Sequence, residues 1–154
     1  MVELVPFTRL FLDKSFDWLS DPEIQYLTDT PPLTRNDQEK WFLSLAEKDN
    51  YRVWGVCFQS LPVGVCGIKH IEGPNGEYFG YIGEKSLWGQ GIGNQMMERA
   101  ERLAEELNIS HLRLRVANDN ARAIRLYQKR GYTPSRHEDR FTWMEKNLKE
   151  SIKR

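Results

Sequence analysis

The chain has 154 residues, 40% of them hydrophobic and 29% charged, with 5 Trp, 6 Tyr and 7 Phe; this excludes the disordered class and is long enough for one core. Its 22 basic and 22 acidic residues cancel to a net charge of +0, which gives no electrostatic footprint for a nucleic-acid partner or an anionic membrane. Any anion has to be held locally, by aimed groups.

The opening "MVELVPFTRLFLDKSF" carries acids and has no sustained apolar segment with a cleavage site, so it does not read as a signal peptide. With no run of membrane-spanning length, the expectation is a cytoplasmic protein. No repeat, low-complexity tract or linker interrupts the chain, and a single domain over 1–154 is expected.

In chain order, "VELVPFTR" predicts a first strand. "LDKSFDWLSDPEIQYL" predicts a short helix, with Asp21-Pro22 marking a break or a second helix start. In "TPPLTRNDQEKWFLSLAEKD" the prolines make a turn, Thr34 or Asn36 can cap, and Trp41, Phe42 and Leu45 recur at helical spacing. Then the period changes. "YRVWGVCFQ" and "VGVCGIKHI" are β-rich runs joined at Ser60-Leu61-Pro62 as a hairpin, and "GPNGE" at 73–77 is a second turn leading into a strand at 78–84. Cys57 and Cys66 lie in these apolar runs without a second pair of metal ligands; they read as buried small hydrophobes, and no metal site is expected.

From Gly91 to Leu107, Ile92, Met96, Met97, Ala100, Leu103, Ala104 and Leu107 form one apolar stripe of an amphipathic helix. "HLRLRV" is a strand, "NDNARAIRLYQKR" a second helix with Gly131 as its C-cap, and "RFTWMEKNL" a last strand. The expected class is α+β: a mixed, largely antiparallel central sheet flanked by helices. Strand 111–116 should run parallel to strand 78–84, because a long helical connection joins them.

Two motifs carry chemistry. In "SLWGQGIGNQMM", Gly89, Gly91 and Gly93 stand at the mouth of the helix that follows. The first amides of a helix have no internal partners and sit at the positive end of its dipole, and bare backbone lets an anion approach them. The triphosphate-loop pattern G-x-x-x-x-G-K-[ST] fails here. The dinucleotide pattern G-x-G-x-x-G fails at Asn94, and "HLRLRV" lacks the acid that should follow it. Alone, the glycines leave a tight turn without a ligand open as the alternative reading. The second motif, "NARAIRLYQKRGY", puts Asn120, Ile124 and Tyr127 on one helix face. There Tyr127 reads either as an amphipathic core residue or as a phenol presented to a ligand.

Together the two motifs resemble the GNAT family of N-acetyltransferases. "WGQGIG" corresponds to the family's pyrophosphate loop [RQ]-x-x-G-x-[GA], with Trp88 where Arg or Gln is usual. "NARAIRLYQKRGY" matches the downstream pattern N-x-x-A-x-x-L-Y-x-K-x-G-[FY] at every specified position. The resemblance implies the acyl-CoA N-acyltransferase fold, whose parallel strand pair splays apart, with acetyl-CoA as cosubstrate and no metal. It implies that Trp88, Gly89, Gln90, Gly91, Ile92, Gly93 and Asn94 hold the pyrophosphate, and that Tyr81, Ile82 and Gly83 run beside the pantetheine arm. Asn120 would touch that arm or fix the backbone. Tyr127 would protonate the departing thiolate, and an acceptor amine would attack directly.

The general base is open. Where several family members have a Glu on the strand before the tyrosine helix, this chain has Arg115. Glu84 is the first candidate; His70, Glu77 and water are the others. Acceptor specificity is expected from the N-terminal helices. Trp18, Tyr26, Trp41 and Phe42 form either a pocket wall or helix-to-sheet packing, and "YLTDTPPLTR" is a lip over the pocket. Asp29 is a candidate to attract a cationic amine, and Arg35 to pair with a phosphate. The expected acceptor is a small-molecule amine such as an amino sugar or polyamine. A protein or peptide N-terminus, a non-catalytic CoA-binding module and a dinucleotide binder are the other readings. The last strand and tail, "RFTWMEKNLKESIKR", either pair across a homodimer or end the sheet.

Overall fold

The computed structural model describes residues 1–149. Strand β1 (Val2–Pro6) leads into helices α1 (Arg9–Leu19), α2 (Pro22–Thr28) and α3 (Arg35–Ser44). The strands β2 (Arg52–Phe58), β3 (Leu61–Glu72) and β4 (Asn75–Ile82) follow as an antiparallel meander. Helix α4 (Ile92–Glu106), β5 (His111–Ala117), α5 (Ala121–Lys129), β6 (Thr133–Glu138) and β7 (Phe141–Asn147) complete a seven-stranded sheet in the order β1-β2-β3-β4-β5-β7-β6. No helix among the described residues is long and apolar enough to cross a membrane.

Local chemistry sets the element ends. Asp21 is a second helix start: its carboxylate accepts from the amides of Glu23 (2.9 Å) and Ile24 (3.2 Å), with Pro22 at the first helical position. Thr34, not Asn36, caps α3 through a reciprocal capping box with Asp37. The first hairpin turns at Gln59-Ser60, both at positive φ (51° and 67°), and Leu61 already pairs with Phe58. The turn therefore begins one residue upstream of the expected Ser60-Leu61-Pro62 and shares only Ser60 with it, in the two-residue form whose twist matches the strands. Strand β4 starts at Asn75 rather than at 78, which makes Glu77 a buried strand residue. It ends at Ile82, so Gly83 and Glu84 lie beyond it.

Strand β6 is new relative to the sequence reading. All its residues are exposed and it contains Pro134, as suits an edge strand, so no alternation marks it. Because β6 takes the edge, β7 is enclosed between β5 and β6: of the two expectations, it neither ends the sheet nor offers a free edge to a second copy. The tail, residues 150–154, lies outside the described residues.

One face of the sheet packs under α4, where Met97, Ala100 and Ala104 join Ile68, Tyr78, Leu112, Leu114 and Met144 in one buried cluster. Each large side chain fully buried there contributes about 1.5–3 kcal/mol. The other face carries α1–α3, with Trp18, Ile24 and Val65 buried against Tyr81 and Trp88. Within the first layer lies a buried charge cluster. Glu101 of α4 accepts from Arg130 (2.6 Å), the Tyr132 hydroxyl (2.9 Å) and Lys146 (3.1 Å). It ties the end of α5 to β7. Replacing Glu101 by Gln leaves Arg130 and Lys146 without their counter-charge, and a loss of about 3–5 kcal/mol in urea denaturation is expected.

As expected, β4 and β5 are parallel, but they pair only over Asn75↔His111, Gly76↔Leu112 and Glu77↔Arg113. Beyond Glu77, β4 stays on β3 and β5 stays on β7, and a wedge opens between them.

Candidate active site

The wedge opens into a cavity of about 750 Å³ whose wall takes residues from α1–α3, β4, the loop before α4, β5 and α5. That is the size of a site for a cofactor-sized ligand.

Its floor is the glycine loop. Gly89 and Gly91 sit at φ 81° and 82°, and a Cβ at either would meet nothing within 4 Å. These two glycines serve backbone conformation and leave open space above the loop. Gly93 serves packing: a Cβ there would lie 3.2 Å from Leu126 of α5. Gly91 is the N-cap of α4 and no side chain caps the helix. The first intrahelical bond runs from the Gln95 amide to the Gly91 carbonyl (3.3 Å), so the amides of Ile92, Gly93 and Asn94 have no partner within the helix. An uncapped fifteen-residue helix under open space fits a phosphate.

Trp88 has a local function in place of the usual Arg or Gln. Its indole N–H donates to the Ile82 carbonyl (2.8 Å), closing the end of β4. The guanidinium of Arg122 stands 5.6 Å and the ammonium of Lys85 5.8 Å from its ring centroid.

Asn120 caps α5, its Oδ1 accepting from the Ala123 amide (3.3 Å), which fixes the backbone that carries Tyr127. The Tyr127 ring lies edge-on to Tyr132 (6.1 Å), and the Tyr132 amide donates to the Tyr127 carbonyl (2.9 Å). Burial pushes the Tyr127 phenol up to about 12, and no protein group shares in that shift. The phenol keeps its proton at neutral pH, and the residue lines the cavity.

Tyr81, Ile82, Trp88, Gly89, Ile92, Gly93, Asn120 and Tyr127 all line the cavity. Gly83, Glu84, Gln90, Gly91 and Asn94 are not part of its wall. The Gly83 amide donates to the Val63 carbonyl (2.7 Å), and Trp18 covers the residue so closely that a Cβ would lie 2.1 Å from the indole. Glu84 Oε2 accepts from the Trp18 indole N–H (2.7 Å). Gln90 donates to the Ser86 carbonyl (3.2 Å), and Asn94 accepts from Arg130 (3.5 Å).

A different carboxylate reaches the cavity. Glu77, read from sequence as part of a turn on the pocket rim, stands where β4 and β5 part. His70 Nδ1 lies 2.9 Å from its Oε1, with Arg113 at 3.8 Å and Lys69 at 3.9 Å. The alternation Glu77, Phe79, Tyr81 was the signal that could have placed it on a strand face.

The acceptor side differs from expectation in its charges. Asp29 is held by Arg115 (2.8 Å) and Arg140 (3.4 Å), so it is not free to draw in an amine. Arg35 pairs with Asp13 (3.3 Å), lies 4.4 Å over the Phe16 ring, and is outside the cavity wall. Trp18, Trp41 and Phe42 are packing residues: Trp18 meets Tyr81, while Trp41 and Phe42 meet Phe7. Trp41 also lines the cavity. Tyr26 is exposed and donates to Asp119 (2.7 Å) under the Arg140 guanidinium. Thr28, Thr30 and Leu33 of the expected lip do line the cavity.

Residues 2–133 match the family model described as "Acetyltransferase (GNAT) domain". The chain is 27% identical over 138 residues to acetyltransferase PseH of Campylobacter jejuni, covering 86% of this chain and 85% of PseH. The crystal structure of PseH with acetyl coenzyme A superposes with a TM-score of 0.75 at 18% identity, covering 96% of this chain and 99% of that one. A stretch of 43 residues is 46% identical to the uncharacterized protein YxbD of Bacillus subtilis, spanning 28% of this chain and 27% of YxbD. The spermidine N-acetyltransferase of Vibrio cholerae, crystallised with CoA and spermine, superposes with a TM-score of 0.89 at 18% identity over 98% of each chain. At that identity the likeness concerns the fold.

Proposed function

The chain belongs to the GNAT acetyltransferase family and is an acetyl-CoA-dependent N-acetyltransferase, and we propose that it acetylates the amine of a small-molecule acceptor by direct attack. The observation that carries this reading is the convergence, in one cavity, of an uncapped helix start and an unpartnered phenol. Among the residues at the acceptor side, Asp29 is paired with Arg115 and Arg140 and Tyr26 with Asp119.

Acetyl-CoA supplies the thioester carbonyl and a thiolate as leaving group. The amides of Ile92, Gly93 and Asn94 would hold its pyrophosphate, and the wedge beside Tyr81 and Ile82 its arm. Tyr127 Oη keeps its proton through the neutral range and delivers it to the sulfur. We place the base at Glu77, which lines the cavity, with His70 beside it as the route for the proton to solvent, rather than at Glu84, which is not part of the cavity wall. An acceptor amine of pKa ~10 is mostly protonated at neutral pH, so a base is required there.

Glu77→Gln is expected to lower kcat/KM by about 10²–10⁴-fold at pH 7. The loss should shrink as pH rises toward the amine pKa, because the free amine then needs no base. Acetyl-CoA binding should be unchanged. A deficit of the same size at every pH would remove Glu77 from the role of base.

A further inference from the structure

We propose that Tyr78 is a second catalytic phenol, whose hydroxyl donates a hydrogen bond to the departing CoA sulfur beside Tyr127; this rests on the acetyl-transfer reading above and adds a residue to its leaving-group side. Tyr78 follows directly on Glu77, the last β4 residue paired with β5, so it stands where the wedge opens. Alternation along the strand turns it away from Glu77, to the sheet face under α4, where Tyr127 packs against the same cluster. The residue is 3% exposed and lines the cavity. Its ring lies forward along β4: a Cβ at Gly80 would come within 2.7 Å of the Tyr78 hydroxyl oxygen and 3.2 Å of the carbon that bears it. The bare Gly80 is what lets the hydroxyl lie there.

Packing alone would be served by phenylalanine; a buried tyrosine normally finds its hydroxyl a partner. Among the described residues, the unpartnered side-chain atoms that are sealed off belong to Gln38, Tyr81, His111, Arg130 and Trp143. The hydroxyls of Tyr78 and Tyr127 are not among them, and both residues line the one cavity. Burial, and after it Cys66, Tyr127, Tyr132 and Glu101, push the Tyr78 phenol well above its ordinary value, with no hydrogen bond taking part. Two protonated hydroxyls thus face the same space from β4 and from α5.

An acetyl-CoA arm that starts at the glycine loop and runs back along Ile82 and Tyr81 reaches Gly80 next, and with it the Tyr78 hydroxyl. When the tetrahedral adduct collapses, the C–S bond breaks and its electron pair moves to sulfur. A thiolate in a cavity lined largely by apolar side chains is costly unless donors meet it. Tyr127 gives the sulfur its proton and regains one from solvent. Tyr78 keeps its proton throughout and donates a hydrogen bond to the charge as it develops, a fixed dipole that needs no reorganisation.

The test titrates the thiol of bound CoA in the full chain, reading thiolate absorption as the difference between protein loaded with CoA and with acetyl-CoA. A donor aimed at the sulfur favours the thiolate, so Tyr78→Phe should raise the thiol pKa by about 1–2 pH units. The ring is kept, and the melting-temperature shift with CoA should persist. With spermidine or glucosamine as acceptor, Tyr78→Phe should lower kcat by about 10–10²-fold, the loss expected for a hydrogen bond to a charged group. A fall in kcat with an unchanged thiol titration would mean that Tyr78 only packs the site, and would overturn the proposal. Undiminished kcat would overturn it as well. If neither amine is turned over, the acetyl-transfer reading fails by itself, and the thiol titration alone decides for or against Tyr78. If CoA does not bind, both fail.

Discussion

Tyr127→Phe is expected to lower kcat by about 10²–10⁴-fold while leaving acetyl-CoA binding intact. The substitution removes one oxygen from a ring whose packing against Tyr132 and along α5 is otherwise kept. Among the described residues the hydroxyl has no protein partner to lose, so the fold should not suffer. The pH profile carries the sign. Burial raises the phenol to about 12, so the proton is present across the neutral and mildly alkaline range, and activity through this group is lost only as pH climbs toward that value. A wild-type profile that falls steeply near the ordinary phenol value would contradict the assignment. So would a Tyr127→Phe enzyme of undiminished kcat.

Gly91→Val should abolish the stabilisation that CoA confers on the wild type. At a hundredfold excess over its dissociation constant, CoA should stabilise wild type by ~2.7 kcal/mol, read as a rise in melting temperature. Gly91 holds φ at 82°, where a β-branched residue is strained by about 1–3 kcal/mol. A Cβ there would meet no protein atom. The damage should therefore fall on the backbone path of the loop and on the first amides of α4. The matching control is Gly93→Ala, which meets Leu126 at 3.2 Å and disturbs the contact of α4 with α5 instead. A full CoA shift in Gly91→Val would mean that the loop does not hold the anion.

These two residues were legible because their signals are local. A stripe at helical spacing marks α4, glycines at its mouth mark the loop that opens it, and the "NARAIRLYQKRGY" pattern places Tyr127 one helix on. What failed was decided by partners distant in the chain. Glu84 lies next to the loop in sequence, but its carboxylate is taken by Trp18, 66 residues away. Asp29 looked free until Arg115, 86 residues on, came beside it. Glu77 was hidden among Gly73, Pro74, Asn75 and Gly76, whose turn chemistry outweighed strand alternation until pairing with β3 and β5 drew the segment into the sheet. Strand β6 has neither burial nor alternation; it forms because β7 offers it an open edge.

The most direct test of amine acetylation in this cavity is the release of free CoA thiol from acetyl-CoA, followed with and without amine, with the product mass recorded. The account predicts that release depends on amine, that the amine gains one acetyl group, and that Tyr127→Phe binds CoA but releases it far more slowly. Thiol release at the same rate without amine, or by Tyr127→Phe as fast as by wild type, would contradict it.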